Sequence, residues 1–427
     1  MADAVPNSGL PRPSLAYRWL VLFFLSMAMF GNYYIFDSIN PLVDIFKDQL
    51  GFSATVIGYL NSFYNAAAII ALAVGGIIVD RFGTKKSITL FAILCLIASV
   101  WMVLSGKAWS MLGARFLLGM GAEPLIVAVT TALAKWFKGK ELSFAFGVNL
   151  LIARAASWLA DNTPTWASWS YDGTWYRPLY IGVIAGGICV AAAVTYWILE
   201  ARAETRFQVG EAAATDKLAI KDAFLFGRTF WYIVALCVTF YATVFSFRLF
   251  GIDYFMSAHG RTRESAGALN GFLPLMSMWA TPVFGLIADK VGKRATFMLF
   301  GSVLMPIVFV MMGYSHVTLW IPVGMLGVAF SLIPAIMWPS VAYLVEERRL
   351  GSAYALMTLC QQVGWLAMNQ AIGFSQDKFN ASPSNPPGYL PMLWILAGVS
   401  VAGILFSFLL WQAERGKQAH GLETIKA

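Results

Sequence analysis

The sequence predicts an all-α polytopic membrane protein with twelve transmembrane helices in two six-helix bundles. Three observations carry this. Of 427 residues, 59% are hydrophobic and 12% charged, with a mean hydropathy of +0.67, whereas a soluble domain carries about 25% charged residues. Apolar runs of about 20 residues, the length that crosses a bilayer, recur along the whole chain. In lipid the backbone must satisfy its own polar groups, so each run is read as a helix. The runs also fall into two sets of six, divided by the longest charged stretch, Glu200 to Arg228.

Taken in order, residues 1–16 are polar and proline-containing and are expected to form a tail outside the bilayer. Tyr17 to Asp37 is too long for a signal-peptide core and has no small-residue cleavage site after it, so it is helix 1. Helices 2 to 6 are expected at about 56–79, 86–106, 109–135, 143–165 and 178–199, which closes a first bundle over 17–199. A linker, 200–228, follows. Helices 7 to 12 are expected at about 229–252, 265–288, 295–314, 318–345, 351–374 and 389–412, a second bundle over 229–412, with a polar tail over 413–427. All four cysteines fall inside apolar runs, which argues against a disulfide framework.

An internal repeat supports the division into halves. The helix 2–3 turn reads Gly76-x-x-x-Asp80-Arg81-x-Gly83-x-Lys85-Lys86, and the helix 8–9 turn reads Gly285-x-x-x-Asp289-Lys290-x-Gly292-Lys293-Arg294. The step from 76 to 285, 80 to 289 and 83 to 292 is 209 residues each time, and the same step carries Ser143 onto Ser352. One such turn would be weak evidence; two at a single offset, both between apolar helices, mark a duplicated unit.

Basic residues orient the chain. Six of the 30 Lys and Arg (Lys47, Lys107, Arg177, Arg261, Arg263, Lys378) lie on one side and three (Arg115, Arg154, Arg248) lie within helices; the rest share the other side with both tails. Both termini and the linker are therefore expected in the cytoplasm. The net charge of +8 reports this orientation, not nucleic-acid binding.

Two charges sit deep in the opening hairpin of helices 4 and 5. Glu123 lies 12 residues before Lys135, and Arg154 lies 13 residues after Glu141. At about 1.5 Å rise per residue, both are roughly 18–20 Å from the same membrane face, near the middle of a core about 30 Å thick. An ionisable group there costs at least about 2.5–3.5 kcal/mol, which makes it a functional candidate against the plainer reading of a helix-locking ion pair. The charges do not repeat: one repeat step on from Glu123 is Leu332, and from Arg154 it is Val363. A pair required by the fold would be expected in both halves. A guanidinium grips a carboxylate through two parallel hydrogen bonds, and a glutamate answers an ammonium. A zwitterion satisfies both; a sugar satisfies neither, and a dicarboxylate faces the glutamate.

The duplicated turn resembles the signature loop of the major facilitator superfamily, and Arg115-x-x-x-Gly119-x-Gly121 resembles that family's second signature. The resemblance covers about residues 17–412. It implies two bundles around a central cavity and alternating access. Helix 5 lacks the proline-rich signature of drug–proton antiporters, since no proline precedes Pro164. The stretches YRWLVLFFL (17–25), GAEPLIVA (121–128), WFKGKEL (136–142) and WPSVAYLVEERRLGSAYALM (338–357), with Ala153-Arg154 and Gln361, resemble the lysosomal dipeptide uniporter branch of that superfamily. In that branch a helix 4 glutamate and a helix 5 arginine are implicated at the two ends of the peptide, matching Glu123 and Arg154. Pro124 and Val129 depart from its pattern.

The expected function is transport of dipeptides or related small zwitterionic amino compounds, by uniport or with weak proton coupling if Arg154 holds Glu123 ionised. The alternatives are an organic-anion or drug transporter, with Glu123 only the partner of Arg154, and a transport-inactive sensor or scaffold. Polar and amphipathic residues within helices complete the expected binding set: Tyr34, Tyr64, Asn149, Trp338, Gln361 and Trp365, with Tyr33, Asn65, Gln362 and Asn369 as weaker candidates beside plain helix packing. Asp80, Arg81, Arg115 and Asp289 are expected to act in conformational change. Asp37 and Arg248 both fall roughly 27–28 Å from the cytoplasmic face and are expected as a partly exposed outer gate, against the plainer reading that each sits solvated or snorkelling at an interface. No enzyme activity, cofactor or metal is expected. The partners are the bilayer and a small zwitterion, to a chain working as a monomer with or without an accessory subunit. The expected membrane is a bacterial inner membrane, the alternative a lysosomal or other organelle membrane.

Overall fold

The structure is a computed structural model that describes residues 11, 13–137, 141–207, 226–346, 349–416 and 419–426. Most of the expected N-terminal tail, and the linker from 208 to 225, lie outside the described residues. The first half contains α1 (Leu15–Asp37), a short α2 (Val43–Leu50), α3 (Ala54–Leu104), α4 (Ala108–Phe137), α5 (Leu142–Asp161), the single turn α6 (Thr163–Trp166) and α7 (Arg177–Arg206). The second contains α8 (Arg228–His259), α9 (Arg263–Val291), α10 (Arg294–Tyr314), α11 (Trp320–Leu344), α12 (Leu350–Lys378) and α13 (Leu390–Ala413). Expected helices 2 and 3 are the two arms of α3, which break at Gly83.

Among the described residues, eleven helices are long and apolar enough to cross a membrane. The twelfth expected crossing is α12, 29 residues long. Its length suffices, but Gln361, Gln362, Asn369 and Gln376 are buried along it. This helix directs its polarity into the protein, where lipid does not meet it.

The repeated turns share a backbone feature. Gly83 has φ 78° and Gly292 has φ 88°, a region open to glycine and closed to most side chains. The duplicated glycine is thus a conformational requirement in both halves. Around the first turn, Thr84 donates to Glu200 at 3.0 Å, while Lys135 pairs with Glu200 and Lys85 with Glu204. These partners explain why α7 continues to Arg206 instead of ending near 199: its last two turns carry the anchors of the signature turn. The second turn is held by residues of the polar C-terminal tail. Thr296 N donates to Glu423 at 2.8 Å, Arg294 N to Leu422 O at 2.8 Å, and Leu422 is fully buried.

Away from the termini, the halves are sealed to each other. α2, unforeseen in the sequence, lies at this end: Lys47 reaches Asp253 at 2.7 Å, and Arg263 grips Asp44 with both terminal nitrogens. Asp377 of α12 accepts from Ala54 N and Thr55 N, each at 2.8 Å. It caps the N-terminus of a helix in the opposite half, where the first four N–H groups lack intrahelical partners.

Candidate substrate cavity

A cavity of about 200 Å³ lies between the halves. The first half contributes Glu123 from α4, Arg154 and Ser157 from α5, Tyr33 and Phe36 from α1 and Tyr64 from α3. The second contributes Tyr241 and Phe245 from α8, Trp338 from α11, and Thr358, Gln361, Gln362 and Trp365 from α12. Helical geometry selects these residues. Ser157 follows Arg154 by three positions and Ile126 follows Glu123 by three, so each pair shares a face.

The second signature explains how Glu123 is set. A Cβ at Gly119 would stand 2.3 Å from Tyr64 O, and one at Gly121 would stand 2.9 Å from Phe91 O. Only bare backbone lets α4 lie this close to both arms of α3. That contact brings the Tyr64 hydroxyl to Glu123, where it donates to Oε1 at 2.8 Å. Arg115 of the same motif is buried, donates to Phe36 O at 3.2 Å and to Asn61, and lies over the rings of Phe36 and Tyr64. It braces the aromatic wall of the cavity from behind.

Glu123 and Arg154 share the cavity but, among the described residues, form no ion pair with each other. The helix-locking ion pair, the plainer reading of these two charges, does not form in this conformation. Arg154 lies over Tyr33 at 6.0 Å and over Phe330, from the second half, at 5.2 Å. A positive and a negative group therefore face one aromatic-walled space from adjacent helices. On the far wall Trp338 Nε1 donates to the Tyr241 hydroxyl at 2.9 Å, and Trp365 packs on Phe36 and Phe245.

Two expected binding residues are elsewhere. Tyr34 is buried away from the cavity, its hydroxyl 2.6 Å from Thr163 Oγ1 and its ring on Phe30. Consecutive residues on a helix diverge by about 100°, so Tyr33 takes the cavity face and Tyr34 the packing face. Asn149 is buried in the bundle; five positions from Arg154, it points about 140° away around α5. Tyr241 and Phe245 were not foreseen, because aromatic residues on a buried helix carry no signal that separates cavity from core.

The expected Asp37–Arg248 pair forms, at 3.3 Å, but it is neither partly exposed nor a simple pair. Arg248 also holds Asp161 at 2.8 Å, and Asn40 donates to both carboxylates, at 3.2 Å and 2.9 Å. All four residues are buried. Asp161 was legible: it stands 20 residues after Glu141, hence about 30 Å from the same face, level with the other two. Asp37 also borders the cavity, so the cluster forms its floor at the sealed end. Of the remaining conformational candidates, Asp289 pairs with Arg294 at 2.8 Å, and Asp80 and Arg81 are exposed in the first turn, with Arg81 over Phe82.

Two pseudo-symmetric helical halves, a charged cavity between them and a seal at one end define a membrane transporter, not an enzyme. Residues 22–368 match the Major Facilitator Superfamily, and the chain belongs to that superfamily, in its lysosomal dipeptide transporter branch. It is 30% identical to the human lysosomal dipeptide transporter MFSD1 over 435 residues, covering 97% of this chain and 91% of the relative. The mouse MFSD1 protein is likewise 30% identical, over 96% of this chain and 90% of its own. Among solved structures, a bacterial homologue of the human lysosomal transporter Spinster, inward-facing and unoccupied, matches with TM-score 0.75 at 16% identity, covering 97% of this chain and 100% of that one. The nucleoside transporter NupG matches with TM-score 0.70 at 15% identity, over 91% and 99%. These two likenesses concern the fold alone. Alternating access across a membrane is the activity this family and architecture perform.

Proposed function

We propose that the chain carries dipeptides or closely related small zwitterionic amino compounds, with Glu123 taking the ammonium and Arg154 the carboxylate. The observation that carries this reading is that the two charges face one cavity without pairing with each other. Opposite charges left apart in a low-dielectric site are costly unless a ligand completes them. A substrate with both charges does so at once, and Arg154 can take its carboxylate through a two-pronged contact. The relatives named as dipeptide transporters support the same class. An organic-anion carrier is the second reading, favoured by the Tyr64 hydrogen bond that already occupies one oxygen of Glu123.

The sealed end is proposed as the outer end, since the basic residues put the termini in the cytoplasm, and this conformation then faces inward. The membrane is a bacterial inner membrane or, as the names of the relatives suggest, that of a lysosome. A thermal-shift screen of purified protein against dipeptides, free amino acids, organic acids and sugars tests the substrate class. Stabilisation by dipeptides is expected; stabilisation by non-amino organic acids alone overturns the proposal.

A further inference from the structure

We propose that Gln362 and Trp365 form a clamp for the peptide bond itself, an inference that rests on the zwitterion reading above and sharpens it to dipeptides over free amino acids. The two residues lie three apart on α12 and line the cavity from the second half, opposite Glu123 and Arg154. They are 2% and 5% exposed, and Gln362 Oε1 and Trp365 Nε1 have no hydrogen-bond partner among the described residues. A buried polar atom without a partner is uncommon and costly, so each one calls for a reason.

The neighbours show why these two atoms are left over. Gln361 Oε1 is in contact with Cys237 Sγ at 3.6 Å, and the Thr358 hydroxyl donates to Tyr354 O at 2.9 Å. The Gln362 side chain also lies against Glu123. A carboxylate only accepts, so the amide NH₂ of Gln362 faces Glu123 and Oε1 is the end left free. The ring of Trp365 is held by Phe36 at 5.7 Å and Phe245 at 4.7 Å, and cannot turn to seek another partner without breaking that packing. Two α12 residues that line the cavity therefore carry one unpartnered acceptor and one unpartnered donor beside a site for a zwitterion.

A secondary amide offers the complement, one N–H and one C=O. A dipeptide carries such an amide midway between its charged ends; a free amino acid has none. Gln362 Oε1 accepts the peptide N–H, and Trp365 Nε1–H donates to the peptide carbonyl. The charges of the ligand are then read by the first half and its amide by the second. Only a ligand with both features bridges the two halves that must move together.

The test compares three ligands on the purified full-length protein by thermal shift and titration calorimetry. Glycylglycine is set against its ester analogue, in which the peptide N–H becomes oxygen, and against 5-aminopentanoate, which keeps the spacing of the charged ends and lacks the amide. The parent is expected to bind glycylglycine about tenfold or more tightly than 5-aminopentanoate, with the ester between. Gln362→Leu should close the gap between glycylglycine and the ester. Trp365→Phe, which keeps the ring, should close the gap between the ester and 5-aminopentanoate. Equal binding of glycylglycine and 5-aminopentanoate by the parent overturns the clamp and leaves the zwitterion site standing, and this outcome does not depend on any variant folding. Binding of neither overturns both readings. Gaps unchanged in both variants, each eluting as a monodisperse peak, overturn the assignment to these two residues.

Discussion

Two tyrosines that look alike in the sequence separate at the level of the single residue. Tyr64 donates to Glu123 within the cavity, while Tyr34 bonds Thr163 in the bundle interior. Tyr34→Phe is expected to lower stability by about 1 kcal/mol, the net worth of one buried hydrogen bond, and to leave substrate affinity unchanged. Tyr64→Phe is expected to change affinity for the ammonium end of the substrate, because it frees an oxygen of Glu123. Parallel melting curves and titrations distinguish the two. For the charges themselves, Arg154→Ala should abolish detectable binding of ligands with a free carboxylate. Arg154→Lys should recover only part of it, since a point charge does not reproduce the planar fork. Glu123→Gln should tolerate N-acetylated dipeptides better than the parent does. Binding of dipeptides by both Arg154→Ala and Glu123→Gln at parental affinity would move the site elsewhere.

The duplicated turn is the element that most constrains the fold. Gly83 and Gly292 occupy the same place in their repeats and both have positive φ. A side chain at either position meets backbone strain of about 1–3 kcal/mol, so Gly83→Ala and Gly292→Ala should each lower the melting midpoint, while Gly147→Ala, where nothing lies within 4 Å of the added Cβ, should not. The turns differ in what holds them. The first is held by the continuation of α7 through Glu200 and Glu204, the second by the chain end through Glu423. Truncation after residue 416 should therefore loosen the second turn alone, read as faster hydrogen exchange over 289–296 with 80–86 unchanged.

Across the whole molecule, the seal away from the termini combines the Asp37–Arg248–Asp161 cluster, the α2 ion pairs and the Asp377 cap. Breaking a buried charge cluster by removing one member costs about 3–5 kcal/mol. Arg248→Ala leaves two buried carboxylates facing each other, and the cost falls on the closed state, where they are closest. Since about 1.4 kcal/mol is a tenfold shift in a two-state population, this substitution should drive the carrier toward the state open at that end. The expected readout is faster labelling of a cavity cysteine, Ser157→Cys, by a membrane-impermeant thiol reagent applied from that side. Cysteines at 37 and 248 together should crosslink and block transport; no crosslink in any state would remove the gate. For coupling, uptake into proteoliposomes is expected to equilibrate without accumulation when only a pH gradient is imposed. Concentrative uptake would place a proton on Glu123, Asp37 or Asp161, the interior carboxylates along the path.

The sequence by itself determined the membrane class, the helix count, the two halves, the superfamily and the two central charges. Each is written in a one-dimensional signal: apolar run length, a fixed repeat step, and depth along a helix counted at 1.5 Å per residue. Depth arithmetic put Glu123 level with Arg154 and Asp37 level with Arg248, and would have put Asp161 level with the latter two. The tertiary structure decided rotation and partnership. Sequence spacing says how far along a helix a residue sits, but not which of several apolar faces meets the cavity when the helix is buried on all sides. Tyr33 instead of Tyr34, Ser157 instead of Asn149, and the aromatic wall of Tyr241 and Phe245 therefore came only from the packing. The same holds for whether Glu123 and Arg154 pair, which matched depth left open, and for Arg248, read with one partner. Equal depth brings charges to one layer of the membrane; whether they touch depends on how adjacent helices turn about their axes, and that is fixed by close approaches such as Gly119 on Tyr64.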